Sequence, residues 1–294
     1  MKRTIVFDQA FYDALGRLQL IARDSSGGRL EGARTSRRTG SGVEFADWRP
    51  YAPGDDAREI DFKALARLGR LFVKMRAREE ASEVYLLVDA TASMAFGRPT
   101  KFTFARRVAA ALGAVALGGM DAVTVGFLRG RACELGERVT GNEGLVAVLR
   151  FLESADAAGE TDVAEALASF LNAARAPGVV VVLSDFWSGS DVAGVLRHAA
   201  ERGFEGTLVQ TLTPEELAPE YGGRSRLVDG ESGEEMELVL SAQTRQAYAE
   251  EIERFLAELR SAAERSGFRA ARLSTESSLE DAVLGHMRAA GVVA

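Results

Sequence analysis

Five oxygen-bearing side chains fall in an order suited to holding a hard cation. In VYLLVDATASMAFG (84–97), an apolar run ends at Asp89, and Thr91 and Ser93 follow at every second position. In extended chain, a period of two points alternate side chains the same way, so one carboxylate and two hydroxyls share a face. Thr161, in GETDVAEAL, stands where a loop should give way to a helix, and Asp185 closes the apolar run VVVVLSD. Oxygen sets of this kind suit Mg2+ or Mn2+; Mg2+ takes an octahedron at about 2.0–2.1 Å and retains several waters. With only Asp89 and Asp185 charged, such an ion stays electrophilic and keeps a position that a partner's carboxylate can fill. The plainer reading makes the two aspartates structural caps and leaves the hydroxyls to satisfy backbone groups.

The elements that must carry these residues follow from the hydrophobic pattern. Apolar runs at 84–89, 122–128, 179–185, 206–212 and 268–274 show little polar alternation, as strands buried on both faces should. Helical patterns at 101–118, 143–153, 162–174, 191–202, 244–265 and 278–289 separate or follow them, which predicts a parallel sheet with helices on both sides. Thr161–Asp162 and Ser190–Asp191 have the residue types of helix N-termini. Earlier in the chain, 8–24 reads as an amphipathic helix, and the Gly-, Ser- and Arg-rich stretch 25–42 as a mobile loop. The segment 226–240 alternates about a Gly-containing turn and reads as a β-hairpin, expected to form a small flanking β-subdomain with pieces of 43–78. PGDDAREID (53–61) reads as a tight turn before a capped helix, with Asp55, Asp56, Arg58 and Asp61 in mutual salt bridges, or else as a partner-binding surface. Tyr248, Ile252, Phe255, Leu256 and Leu259 form one core-facing helical stripe. Phe186 and Trp187, beside Asp185, are read either as partner anchors or as core.

Composition narrows the function. The 294 residues carry a net charge of −7, divided as +4 over residues 1–80 and −11 over the rest. The early arginines are interleaved with acids, as in DDAREID and RAREEAS, and lack an aromatic stacking pattern, which argues against nucleic acid; nucleic-acid binding by the arginine-rich segment from Arg29 to Arg38 is the alternative reading. The two histidines, His198 and His286, argue against His-based zinc sites and Ser-His-Asp hydrolysis. The lone Cys133 fits a cytoplasmic setting, and neither a signal peptide nor a membrane span is expected. There is no phosphate-binding G-x-x-x-x-G-K-[ST].

The order D-x-T-x-S, then T, then D resembles the metal-ion-dependent adhesion site (MIDAS) of von Willebrand factor A domains, with Thr91 where serine is usual. The stretch GVEFADWRPYAPGDDAREIDFKALARLGRLFVKMRAREEA (42–81) resembles the signature of the bacterial domain of unknown function 58 family (DUF58), with Phe62 where tryptophan is usual. LVDGESGEE is similar to that family's short hairpin. The resemblance implies a von Willebrand A-like, Rossmann-like doubly wound α/β domain over 81–294 with the hairpin inserted near 224–240. It further implies a preceding 1–80 segment of helix, loop and signature. The implied function is non-enzymatic: a metal face used for protein–protein binding, with a MoxR-type AAA+ ATPase or its client as partner, in chaperone-like or complex-maturation work. The competing enzymatic reading is a Mg-dependent hydrolase or phosphatase with Asp89 as nucleophile; Thr91 then stands where a second carboxylate is usual.

Overall fold

The computed structural model describes residues 6–24, 39–40, 44–52, 60–77, 81–187, 190–219, 223–228 and 235–287. In chain order its elements are α1 (Gln9–Asp24), β1 (Thr39–Gly40), β2 (Glu44–Pro50), α2 (Phe62–Leu68), β3 (Phe72–Ala77) and β4 (Glu83–Asp89). Then come α3 (Lys101–Gly118), β5 (Ala122–Arg129), β6 (Ala132–Leu135), β7 (Val139–Thr140), α4 (Leu145–Glu153), α5 (Val163–Ala173) and β8 (Val179–Ser184). The chain continues through α6 (Val192–Glu201), β9 (Glu205–Leu212), α7 (Pro214–Leu217), β10 (Gly223–Val228), β11 (Glu235–Leu240), α8 (Ala242–Arg265) and β12 (Arg269–Ser274). A π-helical segment, Asp281–Met287, follows.

The chain divides into two compact units, Met1–Ala33 with Ser82–Ala294, and Arg34–Ala81. The larger is a mixed α/β unit around a mostly parallel sheet. Its strand order is β12-β9-β8-β4-β5-β6, with β7 also on β5; β6 and β7 run antiparallel and the other neighbours parallel. The strands alternate between two cores. Val84, Leu86 and Val88 of β4 and Val179, Val181 and Leu183 of β8 pack with α1, α3 and α4. Tyr85, Leu87, Val180 and Val182 pack with α5, α6 and α8. A strand facing apolar layers on both sides has no polar position to spare, which is why these runs are continuous. Gly206 of β9 has a specific reason to be glycine: a Cβ there would lie 1.9 Å from the Val180 carbonyl oxygen.

α1 lies in the larger unit of this division. Val6, Phe7, Phe11, Leu15 and Leu18 are buried in the same core as Val108, Leu112 and Val115 of α3. Each such burial contributes about 1.5–3 kcal/mol, which fastens the helix. Arg107 of α3 adds bonds to the Val6 carbonyl at 2.7 Å and to Asp8 at 2.8 Å.

The smaller unit holds the antiparallel sheet β1-β3-β2. Asp61 caps α2, accepting from the backbone N–H groups of Lys63 and Ala64, and Gly69, at φ 65°, ends it. Asp55, Asp56 and Arg58 lie outside the described residues, as does nearly all of 25–42 with Arg29–Arg38. The hairpin forms as β10 and β11; among the described residues its strands pair with each other rather than with strands of 43–78, and they fall in the α/β unit.

Candidate metal centre

From β4 the chain crosses to β5 on one side and later places β8 on the other. Strand order therefore reverses at β4, and a crevice at such a reversal, outside the carboxyl ends of the strands, is where open α/β sheets bind ligands. Asp89 ends β4 and Asp185 directly follows β8.

The backbone draws the third segment in. Ala158 N–H donates to the Ala90 carbonyl at 2.8 Å, and Ala92 N–H donates to the Gly159 carbonyl at 2.8 Å. Thr161 bridges Gly130, just beyond β5, and Asp162 N–H donates to the Gly130 carbonyl at 2.8 Å. Asp162 itself caps α5, so Thr161 sits one residue outside the helix with its hydroxyl uncommitted. The loops carrying Asp89-Thr91-Ser93 and Thr161 are thus stitched together, while Asp185 comes from the strand beside Asp89.

Asp89 is 2 % exposed. Its Oδ1 accepts from the Thr91 backbone N–H at 2.9 Å and from the Thr91 hydroxyl, and its Oδ2 accepts from Ser184 Oγ at 2.6 Å. Burial, and next the charge of Asp185, push its carboxyl up to about 6, against the hydrogen bonds from Ser184 and Thr91. Asp185 is also buried; its Oδ1 accepts from the Trp187 N–H at 3.1 Å and its Oδ2 from Lys101 Nζ at 2.7 Å. The hydroxyl oxygens of Ser93 and Thr161 are buried and have no hydrogen-bond partner. Buried polar atoms are rarely left so, because the uncompensated desolvation costs about 1–3 kcal/mol each. The two orphaned oxygens, on loops stitched together just beyond Asp89, and the two mutually repelling carboxylates are a donor set whose chemistry fits Mg2+ or Mn2+. Among the described residues no three His, Cys, Asp or Glu side chains are grouped to hold a metal, so hydroxyls would have to complete any shell here.

Three contributors escape a reading of the sequence. Ser184 looks like one more strand residue, yet it ties the two strand ends together. Lys101 opens α3 and is 1 % exposed; its ammonium also meets Glu216. Glu216 is fixed in turn: its Oε2 accepts from Thr213 N–H at 2.8 Å in a capping box, and its carbonyl accepts from Tyr248 Oη at 2.8 Å. The available signal was a lysine in the first turn of a largely apolar helix, because a buried lysine needs a carboxylate. Phe186 and Trp187 pack inward: Phe186 is buried at φ 59°, and Trp187 stacks on Phe255 of α8 at 4.7 Å.

Residues 47–257 match the family described as "Protein of unknown function DUF58", and the chain belongs to that family. It is 28 % identical over 254 residues to the uncharacterized protein Rv1480 of Mycobacterium tuberculosis, covering 85 % of this chain and 80 % of that one. The same figures hold for the uncharacterized protein Mb1516 of Mycobacterium bovis. Among solved structures, the conserved hypothetical protein BatB from Bacteroides thetaiotaomicron aligns with a TM-score of 0.43 and 16 % identity, over 69 % of this chain and 95 % of that one. An aerotolerance-related membrane protein from Bacteroides fragilis gives 0.41 and 16 %, over 71 % and 100 %. No helix among the described residues of the present chain is long and apolar enough to cross a membrane.

Proposed function

We propose that this chain is a von Willebrand A-like interaction module that holds a divalent cation, Mg2+ or Mn2+, at a MIDAS-like face and uses it to bind a protein partner. The single observation that carries the reading is the pair of buried, partnerless hydroxyls, Ser93 Oγ and Thr161 Oγ1, on loops stitched together just beyond Asp89. Asp89, Thr91, Ser93, Thr161 and Asp185 would hold the ion. When bound, it supplies a Lewis-acid position for a partner's carboxylate. The chain's own task is to hold these oxygens in place. Ser184 and Thr91 orient Asp89, and the stitched loops orient Ser93 and Thr161. The partner is a MoxR-type AAA+ ATPase or its client, in chaperone-like or complex-maturation work in the bacterial cytoplasm.

The hydrolase reading, with Asp89 as nucleophile, is less well supported. Thr91 stands where such an enzyme would place a second carboxylate as general acid/base. Retention of a MoxR-type ATPase by the immobilised chain should require Mg2+, stop with EDTA, and be lost in Asp89→Ala. Equal retention by Asp89→Ala in Mg2+ would remove the metal from the account of partner binding.

A further inference from the structure

Resting on the metal reading above, we propose that Lys101 is a resident counter-ion that competes with the divalent cation for Asp185, with Glu216 as its alternative partner. Lys101 Nζ lies between two carboxylates from different parts of the chain, Asp185 Oδ2 at 2.7 Å and Glu216 Oε1. Lysine is almost never fully buried unless paired, so this placement is a strong local requirement. In this network the Lys101 ammonium meets the carboxylates of Asp185 and Glu216, and Asp185 in turn faces Asp89.

A dication on Asp185 would sit next to the ammonium that Asp185 now holds. Two like charges a few ångströms apart in a buried site repel strongly, so ion and ammonium cannot both keep Asp185 on these terms. The flexible four-carbon stem of lysine lets the ammonium turn fully toward Glu216, a partner it already touches. Glu216 is ready to receive it. The capping box with Thr213 fixes its carboxylate, and Tyr248 of α8 holds its backbone carbonyl. Ion loading therefore costs the Lys101–Asp185 pair, and Glu216 limits that cost. Lys101 acts here through Asp185, as a positioning residue that sets affinity.

Calorimetric titration of Mn2+ into the full chain, with thermal melts alongside, tests this. Lys101→Met keeps the length of the side chain and removes its charge. It should bind Mn2+ at least about tenfold more tightly than wild type, and Mn2+ should raise its Tm by more than it raises that of wild type. Lys101→Arg, which keeps the charge, should not gain affinity. Glu216→Gln should weaken binding about fivefold or more, while Glu215→Gln, the same charge change at an exposed neighbour, should stay within about twofold.

Wild-type binding with no gain in Lys101→Met would overturn the role of Lys101 and leave the metal site standing. No binding by either would overturn both. Binding by Lys101→Met alone would support both. A purely structural lysine predicts weaker binding and poorer folding in Lys101→Met, without the gain. Where Lys101→Met does not fold, the glutamates decide: equal weakening by Glu216→Gln and Glu215→Gln would overturn the proposal.

Discussion

The hydroxyl of Ser184 donates to Asp89 Oδ2 at 2.6 Å and thereby ties the last residue of β8 to the last residue of β4. The same oxygen accepts the Phe186 N–H at 2.9 Å, so one small side chain fixes both the Asp89 carboxylate and the turn that carries Asp185. Ser184→Ala removes both bonds at a buried position. It should lower stability by about 1–3 kcal/mol in urea unfolding and weaken Mn2+ binding severalfold. Unchanged stability would mean that the turn holds its shape without Ser184.

The two orphaned hydroxyls give a test that separates a metal site from a structural cap. Without metal, Ser93→Ala and Thr161→Val remove buried hydroxyls that make no hydrogen bond, so stability in EDTA should hold or rise by up to about 1 kcal/mol. In Mn2+ each variant should bind about tenfold or more weakly. A clear loss of stability in EDTA with affinity intact would instead mark these hydroxyls as structural.

The Asp89 carboxyl makes a prediction in pH. Burial, then the Asp185 charge, raise it from 3.8 to about 6. Between those values the folded chain holds a proton that the unfolded chain has released. This group's contribution therefore favours the folded state at low pH and is lost as pH rises toward 6, a change on the order of 3 kcal/mol for two units. Urea unfolding in EDTA should show this fall, and Asp89→Asn should remove it. Ion affinity should move the opposite way, rising with pH up to about 6, because the ligand is the ionised form. The same pH dependence in Asp89→Asn would assign it to other groups.

Gly206→Ala tests the sheet rather than the site. The added Cβ would meet the Val180 carbonyl oxygen at 1.9 Å, inside the β8–β9 pairing that sets the level of Asp185. A loss of about 2–4 kcal/mol is expected, with the midpoint of unfolding as the readout. Wild-type stability would show that β9 can shift away from β8 at little cost.

Much of the framework is legible in local pattern. The helix expected at 101–118 is observed at Lys101–Gly118, because Thr100 caps it and an apolar run ends it at Gly118–Gly119. Among the five long strands, β12, at the edge of the sheet, has exposed and half-buried residues at all but one position, contrary to the expectation of burial on both faces. The other four announce themselves through apolar runs that are largely buried. β6 and β7 do not: ACEL alternates exposed with half-buried residues, and Val139–Thr140 is too short to leave a pattern. The docking of α1 was equally hidden, since an amphipathic stripe says that one face is covered but not by what. At the site, the order of Asp89, Thr91 and Ser93 is a local signal, but the extended chain expected to align them is not what forms: Thr91 precedes a 3-10 helix over Ala92–Ala95, which carries Ser93. The bond from Lys101 to Glu216 spans 115 positions and exists only once the sheet has brought α3 and α7 together.

The central claim is that these strand ends hold a divalent cation. Calorimetric titration of Mg2+ and Mn2+ into wild type and Asp89→Ala, with thermal melts of each, tests it most directly. Saturable binding by wild type, with a Tm that rises as metal is added, and neither effect in Asp89→Ala, is the result this account predicts. Identical titrations and identical melts for the two proteins would contradict it.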